Sequence, residues 1–263
     1  MIEQRKLGNS DISLSALSLG TVKFGRNQAV KYPRAFDLPS DQVINKLLGT
    51  AFEHGITTLD TAPAYGRSEE RIGRLLTKRQ QWQIISKAGE VCDQTSGNSH
   101  YDFSPKALEQ SLEQSLRRLQ TDYLDCWLLH SDGNDLANLR DEIVDVFLKA
   151  KQQGKVRSIG LSGKTVEGGE YALRYFDTVM MAASLENDRE QALFDIAANK
   201  GKGLILKKIY DSGWALTKDN KQAVMRQTLA RLFEQAAVCS AVIGTINPDH
   251  LLENINAYCH RHE

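Results

Sequence analysis

Asp60, Lys87, His130 and Ser162 each stand directly after an apolar or β-branched run, and Tyr65 lies five residues beyond Asp60. These residue types suit acid–base chemistry at a carbonyl group. A tyrosine hydroxyl normally titrates near pH ~10, too high for an efficient proton donor at neutrality. The ammonium of Lys87 would stabilise a nearby tyrosinate and is expected to lower the value for Tyr65. Asp60 can hold Lys87 charged and in place, and His130 can hydrogen-bond a carbonyl oxygen or relay a proton. A donor tuned in this way is what hydride transfer to the carbonyl carbon requires. Taken singly, each residue has an ordinary role: a helix cap, a half-exposed aromatic, a solvated charge, a satisfied core histidine. Four of them at successive strand ends favour the catalytic reading.

Such side chains converge only if the strands they terminate lie side by side. Apolar and β-branched runs predict eight strands, at 18–21, 57–60, 83–87, 123–129, 156–161, 178–185, 203–206 and 240–243. The run from Tyr123 to Leu129 is almost wholly apolar, as expected of a parallel strand covered on both faces. Helical patterns alternate with the strands. The first, at 40–54, places Val43, Leu47, Leu48, Ala51 and Phe52 on one face. The next is expected to be capped by Ser68, with Glu69 and Glu70 in its first turn. Ser104-Pro105 opens a helix with Leu108, Leu112, Leu116 and Leu119 as its buried stripe. Further helices are predicted at 141–153, 190–199 and 222–237, and Asn247 caps a last one that Pro248 opens. Eight strands alternating with helices predict a single (β/α)₈ TIM barrel over residues 1–263. A turn at Gly8-Asn9-Ser10-Asp11 predicts an N-terminal β-hairpin plugging its floor. Active sites of this fold gather at the C-terminal ends of the strands, where the polar residues fall.

Bulk properties narrow the partners. Hydrophobic residues make up 41% and charged residues 25% of 263, ordinary for a soluble domain with a sizeable core. Lys plus Arg and Asp plus Glu both number 33, which gives no support for nucleic acid or an anionic membrane as the main partner. No apolar run is long enough for a bilayer, and the N-terminus lacks the apolar core of a signal peptide. Cys92, Cys126, Cys239 and Cys259 are too dispersed for a disulfide framework or a metal site. A cytoplasmic protein without metal is expected. Gly160-Leu161-Ser162-Gly163-Lys164-Thr165 ends like a phosphate-binding loop, but that motif needs glycine where Ser158 stands. No Gly-x-Gly-x-x-Gly follows a strand, so a Rossmann dehydrogenase is not indicated.

Nearly the whole chain resembles the aldo-keto reductases. The resemblance rests on Leu17-Ser18-Leu19-Gly20-Thr21, on Asp60-Thr61-Ala62-Pro63-Ala64-Tyr65-Gly66 continuing into Ser68-Glu69-Glu70-Arg71-Ile72-Gly73, and on Ile85-Ser86-Lys87. Asp122-Tyr123-Leu124-Asp125 leading to His130, and Gly154-Lys155-Val156-Arg157-Ser158-Ile159-Gly160, extend it. It implies a catalytic tetrad of Asp60, Tyr65, Lys87 and His130, with the tyrosine as general acid in reduction and base in oxidation. Gly244-Thr245-Ile246-Asn247-Pro248 looks like the family's adenosine-phosphate site, where a helix N-terminus can hold an anion. The resemblance thus implies cofactor contacts at Thr21, Ser162, Lys208, Gly244, Thr245, Asn247, Glu253 and Asn254. It favours NADP(H) over NAD(H), although Gly244 and His250 stand where many members carry Lys and Arg for the 2′-phosphate. The run Val179-Met180-Met181-Ala182-Ala183-Ser184 lacks the family's Gln and Tyr-Asn, and Lys207-Lys208-Ile209 replaces a frequent Tyr-Ser-Pro. The implied enzyme is a monomeric NAD(P)H-dependent reductase of a small aldehyde, ketone or sugar carbonyl. Trp214, in a Gly-flanked loop, is the candidate substrate contact. The two departures keep an alternative open, a nicotinamide-nucleotide-binding regulatory or accessory protein with vestigial activity.

Overall fold

The computed structural model describes residues 1–93, 96–184, 191–217 and 220–263. Its strands are β1 (Gln4–Lys6), β2 (Ser13–Ser15), β3 (Leu17–Gly20), β4 (Thr58–Asp60), β5 (Gln83–Ala88), β6 (Glu90–Cys92), β7 (Ser99–Tyr101), β8 (Cys126–His130), β9 (Ile159–Ser162), β10 (Thr178–Ala182), β11 (Gly203–Lys207) and β12 (Val238–Ile243). Eight of them close a parallel barrel in the order β3-β4-β5-β8-β9-β10-β11-β12, with β12 returning to β3. The expected N-terminal hairpin is present as antiparallel β1 and β2, paired from Gln4 with Ser15 to Lys6 with Ser13. A second hairpin, β6 with β7, leaves the barrel directly after β5 and had no counterpart in the predicted elements.

Side chains alternate across each strand, so every second residue faces the barrel axis. The inward set forms one core of Ile85, Cys126, Leu128, Met180, Ile205 and Cys239, closed from below by Leu7, Ile12 and Leu14 of the hairpin. The outward set packs on the helices in a larger core, where Trp127 stacks on Phe147 with ring centroids 4.0 Å apart. The same alternation carries polar residues inward at the opposite end. Strand pairing sets Asp60 against Ile85 and His130 against Ser162, all on that inward parity.

Most predicted helices form where the pattern placed them. Pro105–Leu119 buries Leu108, Leu112, Leu116 and Leu119, with Ser104 Oγ accepting from Ala107 N. Pro248–Cys259 is capped by Asn247, whose side chain accepts from Asp249 N. In Asp41–Glu53 the buried stripe is Ile44, Leu47, Leu48 and Ala51, while Val43 and Phe52 are exposed. That face lies one residue from the predicted one, because Leu47, Leu48 and Ala51 fit both stripes. Ser68 is the first residue of its helix and not the cap. Its hydroxyl is drawn inward, donating to Thr21 Oγ1 at 2.8 Å and accepting from Thr61 at 3.1 Å. The last strand residue expected on β10, Leu185, and the first expected residue of the following helix, Glu190, lie outside the described residues. No helix among the described residues is long and apolar enough to cross a membrane.

Candidate active site

The four candidates reach one mouth of the barrel from three strands and one turn. Asp60 ends β4, Lys87 is the fifth residue of β5, and His130 ends β8. Tyr65 closes the short 3₁₀ turn Pro63–Tyr65 after β4. That turn is fixed by close backbone approach. Gly66 has φ 60°, and a Cβ there would collide with the carbonyl of Gly25.

Lys87 Nζ lies 2.5 Å from Asp60 Oδ1 and donates to Thr61 O at 2.9 Å, with lysine and aspartate both buried. Removing either partner would strand a buried charge, so the pair is a fixed unit. The same ammonium stands 4.7 Å from the centre of the Tyr65 ring, and the His130 ring meets it edge-on at 6.3 Å. The structure reverses the expected direction of the Tyr65 shift. Burial pushes its hydroxyl well above the ordinary tyrosine value, and Asp60, Tyr32 and Glu90 reinforce the rise. Lys87 does not offset this, because its ammonium is turned to Asp60 and to the ring face. Tyr65 is therefore a firmly protonated phenol.

Two further residues belong to the group and were not singled out from the sequence. Glu90, the first residue of β6, places Oε2 2.9 Å from His130 Nδ1. Tyr32, from the long loop after β3, is driven up to about 12 by burial and the Asp60 charge. Its ring carries Lys23 Nζ 4.3 Å from its centre. The length of the two loops, 25–39 and 88–103, was the available signal, since long loops in a compact domain are often functional.

A cavity of about 710 Å³ opens over this cluster. Asp60, Tyr65, Glu90 and His130 line its floor, with Val22, Tyr32, Met180, Ile209 and Leu216 among its walls. Of the residues that the resemblance implies as cofactor contacts, Ser162, Lys208, Gly244, Thr245 and Asn254 also line it. Thr21, Asn247, Glu253 and Trp214 do not. Thr21 is fully buried and donates to Asp60 O at 2.8 Å, which makes it a brace for the site. Asn247 caps its helix, and Glu253 is ion-paired with the cavity-lining Lys221. Trp214 is 53% exposed, in the turn Asp211–Thr217, on the outside of the cavity.

The lining holds eight lysines and arginines against Asp60 and Glu90. Both carboxylates are already engaged, by Lys87 and His130. The surplus suits a polyanionic ligand. A dinucleotide fits this donor set on two more grounds. A Cβ at Gly244 would find only the Tyr32 hydroxyl within 4 Å, so the backbone there is open to close approach. Asn254 Oδ1 is buried beside it without a partner, although its Nδ2 donates to His250 O. Lys207, in the place of the frequent aromatic, donates to Ser162 Oγ and Gly163 O at 2.9 Å each. It braces β9 against β11. Among the described residues no His, Cys, Asp and Glu cluster could hold a metal ion.

The model of the aldo/keto reductase family matches residues 16–262. A solved structure from Pseudomonas aeruginosa, PA4992, assigned there to the aldo-keto reductases, is 42% identical with a TM-score of 0.87, covering 99% of this chain and 95% of its own. The uncharacterized oxidoreductase YqkF of Bacillus subtilis is 28% identical over 295 aligned positions, 97% of this chain and 91% of its own. The NADH-specific methylglyoxal reductase of Escherichia coli is 28% identical over 211 positions, 74% of this chain and 63% of its own.

Proposed function

The chain belongs to the aldo/keto reductase family, and from that premise we propose that it is a nicotinamide-dependent oxidoreductase that reduces a small aldehyde, ketone or sugar carbonyl, or oxidises the matching alcohol, through Tyr65. The observation that carries this reading is the buried Lys87–Asp60 pair at 2.5 Å, with its ammonium 4.7 Å from the Tyr65 ring at the floor of a cationic cavity. When bound, the nicotinamide ring supplies the hydride in reduction and takes it back in oxidation. As the carbonyl carbon gains that hydride, its oxygen gains the Tyr65 proton, and the tyrosinate left behind lies beside the Lys87 ammonium. In oxidation the tyrosinate takes the proton back. The side chains of Val22, Met180, Ile209 and Leu216 give the cavity an apolar share of wall around this exchange.

NADP(H) is the cofactor we favour over NAD(H). The adenosine end would lie along Gly244, Thr245 and Asn254, near Lys221 and His250, which line the same cavity. Ser162 and Lys208 would take the nicotinamide and pyrophosphate side. The E. coli relative's name, NADH-specific, keeps the comparison with NADH in the test. Titration of the protein with NADPH and NADH, followed by cofactor fluorescence, is the first experiment, with aldehydes and sugars then added. The expected result is tighter NADPH binding and turnover that Tyr65→Phe removes by at least about a hundredfold, the low end of what general acid–base groups supply. Binding without turnover on any carbonyl would return the protein to a regulatory role. Binding of neither nucleotide would end the proposal.

A further inference from the structure

Glu90 reaches the mouth of the barrel from a hairpin that is not part of the barrel wall. Its Oε2 lies 2.9 Å from His130 Nδ1. Its other oxygen accepts from Ser99 Oγ on the paired strand at 2.5 Å, and Arg26 Nη1 stands 3.9 Å away. Arg26 is itself tied to the carbonyls of Ala64 and Gly97. The glutamate is only 9% exposed, so this is a built contact and not a surface pairing. Burial opposes its charge, but His130, Ser99 and Arg26 outweigh burial and hold the carboxyl down to about 2. The two atoms meet at ion-pair distance without hydrogen-bond alignment, and Nδ1 has no other partner among the described residues. An ionised carboxylate this close still favours a proton over a lone pair on Nδ1.

The ring itself is held below its ordinary value. Burial is the chief cause, Lys87 and Lys207 add to it, and Glu90 works against it. At neutral pH the imidazole then carries one proton, and the Glu90 charge favours its placement on Nδ1. Nε2 is left as a lone pair on the ring that lines the cavity.

We propose that Glu90 is a positioning residue that locks His130 in the Nδ1–H tautomer, so that Nε2 accepts a hydrogen bond from an alcohol and donates to a carbonyl oxygen only as the imidazolium. The inference rests on the reading of Tyr65 as the acid–base group. It divides the two directions between two protonation states. Neutral His130 orients the hydroxyl of an alcohol for oxidation, whereas reduction gains a second donor beside Tyr65 on the acid side of the histidine titration. No bond to His130 or Glu90 is made or broken. The charged and titratable groups facing the pair are Tyr65, Lys87 and Lys207 at the ring, and Arg26 and Tyr101 at the carboxylate.

The test has a structural and a kinetic arm. Imidazole ¹⁵N spectra of the whole protein, with the His130 signals assigned by their loss in His130→Gln, report the tautomer directly. Nδ1–H is expected in the wild type above the histidine titration, and a mixture in Glu90→Gln, whose amide can accept or donate. A wild-type ring protonated at Nε2 would overturn the proposal whatever the enzyme does. In kinetics, reduction by the wild type should rise as pH falls through the histidine titration. In Glu90→Gln that limb should move to lower pH, and kcat should drop about ten- to a hundredfold, by analogy with the partners that orient metal-binding histidines. The KM for the cofactor should stay unchanged. Ser99→Ala, which removes a contact to the other oxygen and to Arg26, should give a smaller loss with the same tautomer, and melting temperatures check that both variants fold. An unmoved limb and an unchanged kcat in Glu90→Gln would also overturn it. Absence of wild-type turnover on every carbonyl would sink the reductase reading instead, with the tautomer still decided by the spectra.

Discussion

Tyr65 shows how the surroundings of a residue decide what its type can do. Read alone, a tyrosine near a lysine suggests an acidified phenol. In the folded chain burial dominates, and Asp60, Tyr32 and Glu90 push in the same direction. The Lys87 charge that would have opposed them is drawn to Asp60 at 2.5 Å. The consequence for activity has a definite sign. A raised value keeps Tyr65 protonated above the usual pH ~10 of tyrosine. Carbonyl reduction with saturating cofactor should therefore persist through that pH, with no alkaline limb from Tyr65. Alcohol oxidation, which needs the tyrosinate, should climb with pH over the same range. Rate profiles in both directions from neutral to strongly alkaline buffer check this. A loss of reduction on the alkaline side of the histidine titration but well below pH ~10 would show that Tyr65 is acidified after all.

At the scale of elements, hydrogen bonds between loops hold the mouth of the barrel together. Asp135, in the short helix Asp135–Asn138, is buried and accepts from Lys164 N and Thr165 N at 2.8 Å each and from Thr165 Oγ1 at 2.9 Å. Ser131 also donates to it, so the loop after β8 is stitched to the one that follows Ser162. Asp135→Ala would leave two backbone N–H groups unpaired, each costing about 1–3 kcal/mol. A loss of roughly 2–6 kcal/mol in stability is expected on that basis, read as a lower urea midpoint, with weaker cofactor binding through the displaced Ser162. Elements like this one explain what was legible in the sequence. The strand ends were, because an apolar run stopping at Asp60, Lys87 or His130 carries its own direction. The β6–β7 hairpin was not, because Glu90-Val91-Cys92 and Ser99-His100-Tyr101 are too short and mixed to show a period. With it went Glu90, whose partner His130 is 40 residues away. Asn247 and Glu253 belong to the last helix, where the side chain of one makes its cap and that of the other pairs with Lys221, contacts that the sequence does not show.

In the whole molecule the barrel separates stability from chemistry along its axis. At one end Leu7, Ile12 and Leu14 of the N-terminal hairpin seal the inward core around Met180, Ile205 and Cys239. At the other, β4, β8 and β9 present Asp60, His130 and Ser162 to the cavity, with Lys87 of β5 buried behind Asp60. Conservation of volume matters at the floor and charge at the mouth, so substitutions at the two ends should have separable effects. Leu14 is fully buried, and Leu14→Ala would open a void that the closed strands above cannot collapse into. A cost of about 2–5 kcal/mol is expected for such a change. It should appear as a lower unfolding midpoint with cofactor affinity and kcat unchanged, since the hairpin contributes no residue to the cavity. Saturating cofactor should recover part of the loss, about 2.7 kcal/mol at a hundredfold excess over Kd, because only the folded barrel binds it. If Leu14→Ala instead weakened cofactor binding while sparing stability, floor and mouth would be coupled through the inward core, and the division of labour along the axis would not hold.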